Sequence, residues 1–191
     1  MPFSSGEQEL IGLDERGDRS IIGFVGIGSN LGDPLANCVD AINRVDSSRG
    51  IRVVRRSSFY HTEPFGNREQ DWFVNAVVEI RTILTPGELL HTLQSVETAM
   101  GRVRGGEKWA PRSIDLDILF YGQHLVNDPG LAIPHPELHK RRFVLIPLNE
   151  IAPYVIHPAF GVSIKGLLSR IRDESLVKII SEESSQTFGT L

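Results

Sequence analysis

The stretch Ser113-Ile-Asp-Leu-Asp-Ile-Leu-Phe-Tyr121 decides the reading of this chain, because as a strand it has two unlike faces. Side chains alternate sides along a strand, so Asp115 and Asp117 point the same way, about 6.5–7 Å apart along the chain. Ile114, Leu116, Ile118 and Phe120 fall on the opposite face as an apolar row, and Leu119 shares the face of the two acids. Half of the strand is therefore core and half is open to chemistry. Paired Asp on a strand can simply face water, but Asp is depleted in strands. Two hard oxygen donors suit magnesium, which takes one or two carboxylates and completes its shell with substrate phosphates.

Upstream, Thr85-Pro-Gly-Glu88 is a capping box that opens a helix with Leu89, Leu93, Val96 and Met100 inward and Gly101 at its end. Glu97 lies one position off that stripe, either a surface acid at its edge or a desolvated third carboxylate. Between helix and strand runs Gly-Arg-Val-Arg-Gly-Gly-Glu-Lys-Trp-Ala-Pro-Arg, residues 101–112, with Arg102, Arg104, Lys108 and Arg112 against Glu107 alone. Such a loop is either a solvated charged surface or a flap over polyphosphate, in which Arg supplies planar bidentate donors, Gly supplies hinges and Trp109 excludes water. Further cations, His135, His139, Lys140, Arg141 and Arg142, follow the strand. A zinc site at His135 and His139 has neither H-E-x-x-H nor a nearby cysteine behind it.

The remaining elements fall around this unit. Ile21 to Ile27 reads as a buried strand, and Asp33-Pro34 opens a helix with Leu35, Val39, Ile42 and Val45 inward and Cys38 bordering them as core filler. Ile51 to Tyr60 and Trp72 to Ile83 read as two strands joined by a long loop, His61 to Asp71. Gly122-Gln123 turns the chain back, and helical turns are expected near Glu137–Ile146 and Ser163–Ile171. Strand, helix, strand, strand, helix, strand is the ferredoxin-like β-α-β-β-α-β order, an α+β fold with an antiparallel sheet, helices packed on it, and an added C-terminal hairpin and helices. In Gly26-Ile-Gly28-Ser-Asn-Leu-Gly32 the third glycine is one place late for G-x-G-x-x-G, and no P-loop occurs. Phe73 and Asn75 share a strand face, where a ring can stack and an amide can read a heterocycle's edge, with Phe143 as a second stacking ring.

The 191 residues carry a net charge of −4 and a single cysteine. One domain, no internal disulfide and a reducing, cytoplasmic setting follow. No apolar run reaches the length of a membrane span, and the N-terminus has no signal-peptide pattern. Mild acidity argues against a nucleic-acid partner. The acidity is terminal: residues 1–20, read as an acidic tail, carry −3, residues 172–191, a second tail, carry −2, and the catalytic unit 21–171 carries +1.

Gly28-Ser-Asn-Leu-Gly32, Ser57-Ser-Phe-Tyr-His-Thr-Glu-Pro64, Phe73-Val-Asn75, Glu97 with Gly101-Arg-Val-Arg104, Trp109-Ala-Pro-Arg-Ser-Ile-Asp-Leu-Asp-Ile118, Pro134-His-Pro136 and Arg142-Phe-Val-Leu stand in one order over residues 21–170. Together they resemble the 6-hydroxymethyl-7,8-dihydropterin pyrophosphokinases of folate biosynthesis. The resemblance implies transfer of pyrophosphate from ATP to the pterin's hydroxymethyl oxygen, releasing AMP, with two Mg²⁺ ions held by Asp115 and Asp117. It implies ATP-phosphate contacts from Arg102, Arg112, His135 and Arg141, and Arg104 and Trp109 on a closing loop. Gln94 and Glu97 then lie on the nucleotide side, Ile118 with Leu131 to Ile133 flank adenine, and Thr62, Phe65, Phe73, Asn75 and Phe143 hold the pterin. Ala110 and Lys108 depart from the family's glycine and arginine in the loop, which bears on loop closure and ATP affinity, and Phe73 replaces a tyrosine of some members. The implied partners are these two small molecules, with no nucleic acid or membrane, in a monomer or weak homodimer. Two other readings stay open on the residues: a two-metal phosphohydrolase, and an RNA-binding sheet that stacks bases on Phe73.

Overall fold

The computed structural model describes residues 11–13, 19–64, 69–102 and 111–181. Its elements are β1 (Ile11–Leu13), β2 (Arg19–Ser29), α1 (Pro34–Asp46), β3 (Ile51–Arg56), β4 (Tyr60–Thr62), β5 (Phe73–Thr82), α2 (Pro86–Ala99), β6 (Asp115–Tyr121), β7 (Val126–Asp128), β8 (Leu131–Ile133), a 3₁₀ turn (Leu138–Lys140), α3 (Arg142–Ile151), β9 (Ile156–His157), β10 (Val162–Ser163), α4 (Ile164–Leu168) and β11 (Val177–Ile179). β2 lies between β5 and β6, and β5 pairs in turn with β3, so the four long strands run β6-β2-β5-β3, each pair antiparallel. β1 shares an edge of β2 with β6, and β4 shares an edge of β5 with β3. β7–β8 and β9–β10 are separate two-stranded hairpins.

Local sequence explains the helix starts. The Asp33 side chain accepts from the Ala36 N–H with Pro34 at the first helical position, and Thr85 and Glu88 close the capping box reciprocally. α1 is turned slightly from the expected stripe: Cys38, Ala41 and Val45 are buried while Val39 is exposed. Cys38 thus sits at the centre of the buried face, donating to the Val74 carbonyl, and burial pushes its thiol up to about 12.

One sheet face packs on α1 and α2 through Val25, Ile27, Leu89, Leu93, Leu116 and Ile118. The other packs on α3 and α4 through Phe24, Val77, Leu119, Leu145, Leu148 and Ile164. Phe120 belongs to this second face, not to the apolar row expected for it. Between Phe24 and Val25 the β2–β6 register shifts, so one extra β6 residue is accommodated and the alternation slips. Leu119 and Phe120 then both face α3 and α4, and Tyr121 takes Phe120's place in the first core.

Three other expectations change. The strand expected over Ile51–Tyr60 breaks into β3 and β4, because Ser57 bonds Val77 through its own N–H and its hydroxyl while Glu150 accepts from the Ser58 N–H and hydroxyl. The helix expected at Glu137–Ile146 is a 3₁₀ turn followed by α3, and the later one contracts to α4. The sheet also passes beyond residues 21–171 at both ends, β1 pairing with the start of β2 and β11 pairing with β4. Those parts of the two segments read as tails are sheet strands.

Candidate active site

Where the start of α3 meets the sheet face, a cavity of about 430 Å³ opens, lined from β2, β4, β5, β6 and α3. Its floor is made by two alternating pairs. Gly26 stands opposite Asp117 and Gly28 opposite Asp115 across the β2–β6 ladder, so the strand facing the acids presents no side chains. Glycine inside a strand weakens it and marks a close approach. Here the approach is real: a Cβ on Gly28 would lie 2.6 Å from Asn75 Oδ1. The glycines that resembled a dinucleotide fingerprint clear the cavity floor instead.

Asp115 accepts from Arg102 at one oxygen and from Arg112 at the other. Arg102 also pairs with Glu97, which is 2% exposed and accepts the Leu116 N–H at 2.8 Å. Glu97 therefore joins the end of α2, the start of the basic loop and the β6 backbone, and is not the surface acid that its place at the stripe's edge allowed. Burial works against the Arg102 charge, but Asp115 and Glu97 outweigh it and hold the guanidinium above its ordinary value. Breaking one side of such a buried network costs about 3 kcal/mol or more. Glu97→Leu is expected to lower the urea-unfolding free energy by about that much, and an unchanged midpoint would contradict the role given to Glu97.

Among the described residues Asp117 has no such partners. Burial, and then the charge of Asp115, push its carboxyl up to about 7, with Arg141 acting in the other direction. His135 Nε2 is 3.9 Å from Asp117 Oδ2. Burial and then Arg141 push the imidazole down to about 4, so His135 is a neutral donor and not one of the cations expected beyond β6. Its Nδ1 accepts the Glu137 N–H, which leaves the proton on Nε2, toward Asp117. Arg112, Arg102 and Arg141 all line the same cavity.

At the other end, Asn75 Nδ2 donates to Thr62 Oγ1 at 2.7 Å, both residues being buried, which fixes the amide beside Phe73 and Phe143. Asn30, 3% exposed, ties the two halves. Its Oδ1 accepts the Arg112 N–H at 2.8 Å, and its Nδ2 donates to Gln70 Oε1 and to the Asp71 carbonyl. Asn30, Gln70, Glu63, Gly26 and Gly28 were not among the residues expected here. The Gly-x-Gly set two apart, matching the Asp-x-Asp set two apart, is the signal that points to two of them. Gln94 is half-buried on α2 and Ile118 is in the core beneath the helices, and neither lines the cavity. Phe65, Arg104, Lys108, Trp109 and Ala110 lie outside the described residues.

Among the described residues no group of three or more His, Cys, Asp or Glu side chains converges on a metal position. The fit of Asp115 and Asp117 to magnesium rests instead on hard oxygens and on the raised Asp117 carboxyl, whose ionisation a nearby cation would favour. No helix among the described residues is long and apolar enough to cross a membrane.

Residues 24–153 match the model of the 7,8-dihydro-6-hydroxymethylpterin-pyrophosphokinase family. The chain is 42% identical over 156 residues, 82% of its length and 97% of the relative's, to a 2-amino-4-hydroxy-6-hydroxymethyldihydropteridine pyrophosphokinase of Methylorubrum extorquens. A protein of the same name from Synechocystis is 43% identical over 147 residues, 77% of this chain and 74% of that one. The fold is also that of an HPPK-DHPS crystal structure in complex with substrates, TM-score 0.62 at 16% identity, covering 78% of this chain. A triple-mutant HPPK-DHPS of Plasmodium falciparum gives TM-score 0.63 at 15% identity over 85% of this chain. The present chain spans under half of those two chains, 43% and 45% of their lengths. A match over more than half of the chain, with relatives above 40% identity covering most of it, settles its membership: this chain belongs to the 7,8-dihydro-6-hydroxymethylpterin-pyrophosphokinase family.

Proposed function

We propose that this chain transfers the pyrophosphoryl group of ATP to the hydroxymethyl oxygen of 6-hydroxymethyl-7,8-dihydropterin, forming the pterin diphosphate and AMP for folate biosynthesis. The observation that carries the reading is one cavity with unlike ends: an acid pair with Arg102, Arg112 and Arg141, and an amide held by Thr62 in a part also lined by Phe73 and Phe143. At about 430 Å³ it falls in the usual range for a small-molecule site, about 300–1,000 Å³.

For AMP to leave, the pterin oxygen must give up its proton to solvent and form its bond at the β-phosphorus while the bond from that phosphorus to the α,β-bridging oxygen breaks, its electron pair leaving with AMP. Such a transfer needs positioning and charge neutralisation more than covalent help. Arg102 and Arg112 supply planar donors to the phosphates, already oriented by Asp115, and Arg141 adds a third. His135 contributes a neutral Nε2–H, which suits hydrogen bonding to a phosphate oxygen and excludes it as the base. Asp115 and Asp117 are the residues that would hold two Mg²⁺ ions, which when bound neutralise the polyphosphate and polarise the transferred group. Asn75 reads the pterin's donor–acceptor edge, and Phe73 and Phe143 stack on its faces, with Phe65 joining from the loop. Arg104 and Trp109 contribute to the nucleotide side, and Glu97 serves it by holding Arg102, whereas Gln94 and Ile118, which do not line the cavity, have no direct part in it.

The strand order β6-β2-β5-β3 supports a ferredoxin-like core, with β9–β10 as the added C-terminal hairpin. We place the enzyme in the cytoplasm as a monomer or weak homodimer, without nucleic-acid or membrane partners, and its catalytic unit as residues 21–171 together with β11. The test is incubation with Mg²⁺, ATP and 6-hydroxymethyl-7,8-dihydropterin with separation of products. AMP and pterin diphosphate are expected in equal amounts, and AMP or ADP formed equally without pterin would overturn the reading in favour of a phosphohydrolase.

A further inference from the structure

We infer that the segment Asp173–Ile180 is a strap that positions the pterin half of the cavity, with Asp173 as its positioning residue. The inference rests on the proposed pterin reading of that half. α3 begins with Arg141 as a cap residue whose side chain makes no capping bond. The missing acceptor comes from far along the chain: Asp173 Oδ2 accepts the Arg142 N–H at 2.8 Å, and Asp173 Oδ1 accepts the Ser175 N–H at 2.9 Å. A carboxylate at a helix N-terminus satisfies an orphan N–H and opposes the helix dipole. The helical turn fixed in this way carries Phe143, one stacking wall of the cavity.

From Ser175 the segment crosses to the opposite wall. Leu176 and Glu63 exchange two bonds, the Leu176 N–H to Glu63 Oε2 at 2.9 Å and the Glu63 N–H to the Leu176 carbonyl at 3.1 Å. β11 then pairs Val177 with Thr62, and Lys178 Nζ lies 5.4 Å from the Trp72 ring, next to Phe73. The Ile180 N–H donates to the Phe59 carbonyl at 2.8 Å. One stretch of eight residues thus braces the backbones that carry Phe143, Thr62 and Glu63 and touches the residue before Phe73. None of these attachments reaches Arg102, Arg112, Asp115 or Asp117, and of the groups on the phosphate side only Arg141, one residue before the Arg142 N–H, lies next to the strap, so its effect falls mainly on the pterin half.

The measurement is steady-state kinetics on the full chain with Asp173→Ala and Asp173→Asn. Asp173→Ala is expected to raise KM for the pterin about five- to tenfold, with KM for ATP and kcat changed less than about twofold. Asp173→Asn, which keeps one acceptor for the Arg142 N–H, is expected to recover most of that loss. Hydrogen–deuterium exchange on the wild-type protein reads the same coupling without any variant: pterin binding protects amides of residues 173–180, and an ATP analogue alone does not. Equal rises in both KM values, or no protection on pterin binding, would overturn the strap. A wild-type protein without pterin-dependent turnover would instead overturn the functional reading beneath it.

Discussion

Asp117→Ala folds normally and loses pterin-dependent AMP formation by about a thousandfold or more. Among the described residues its carboxyl makes no hydrogen bond that another part of the fold depends on: His135 Nε2 stands 3.9 Å away, beyond hydrogen-bond reach. Asp115, by contrast, is fastened by two arginines, so Asp117 is the acid whose removal separates chemistry from architecture. Stability gives the independent check. A carboxyl whose folded-state value is raised to about 7 disfavours its own ionisation in the folded protein. Such a group stabilises the fold only while protonated, and that stability is lost as pH rises from the ordinary carboxylate range through about 7. In buffer free of divalent cations, Asp117→Asn is therefore expected to have a higher urea midpoint than wild type at pH 8 and the same midpoint at pH 4. A variant that keeps wild-type turnover, or that unfolds more readily at pH 8, would contradict the role given to this acid.

Gly28→Ala is the second large effect, and it is steric. The added Cβ would lie 2.6 Å from Asn75 Oδ1, a distance that real Cβ contacts do not show, so the amide must swing away from Thr62. Displacement of a positioning group by about 1 Å can cost about a hundredfold in rate. We expect kcat/KM for the pterin to fall about a hundredfold while equilibrium binding of an ATP analogue stays within about twofold. Gly26→Ala supplies the contrast: its Cβ would meet Leu119 Cδ2 at 3.4 Å, an ordinary contact, and is expected to cost far less. Comparable losses in the two variants would show that the floor glycines serve folding alone.

These effects show what was legible in the sequence and what was not. Asp115 and Asp117 were readable because a period of two places them on one face whatever the rest of the sheet does. The caps at Asp33 and Thr85 were readable because their partners are three residues away. Phe120 was misplaced because a bulge is a property of two strands together, and β6 alone carries no sign that β2 will pair with it one residue short. The buried position of Glu97 was only half legible: its place beside the apolar stripe was visible, but its bond to the Leu116 N–H depends on how α2 lies on β6. Asp173 could not be read at all. Its partner is the Arg142 N–H, 31 residues away, and nothing local distinguishes it from a solvated acid in an acidic tail. Asn30 is the same case across two loops.

The central claim is that one cavity brings a pterin alcohol to the β-phosphorus of ATP. Supplying ATP labelled at the β-phosphorus, with Mg²⁺ and 6-hydroxymethyl-7,8-dihydropterin, tests it most directly. The account predicts that the label moves wholly into the pterin diphosphate while the adenine leaves as unlabelled AMP. Label recovered in ADP or in free pyrophosphate, at a rate indifferent to the pterin, would contradict it.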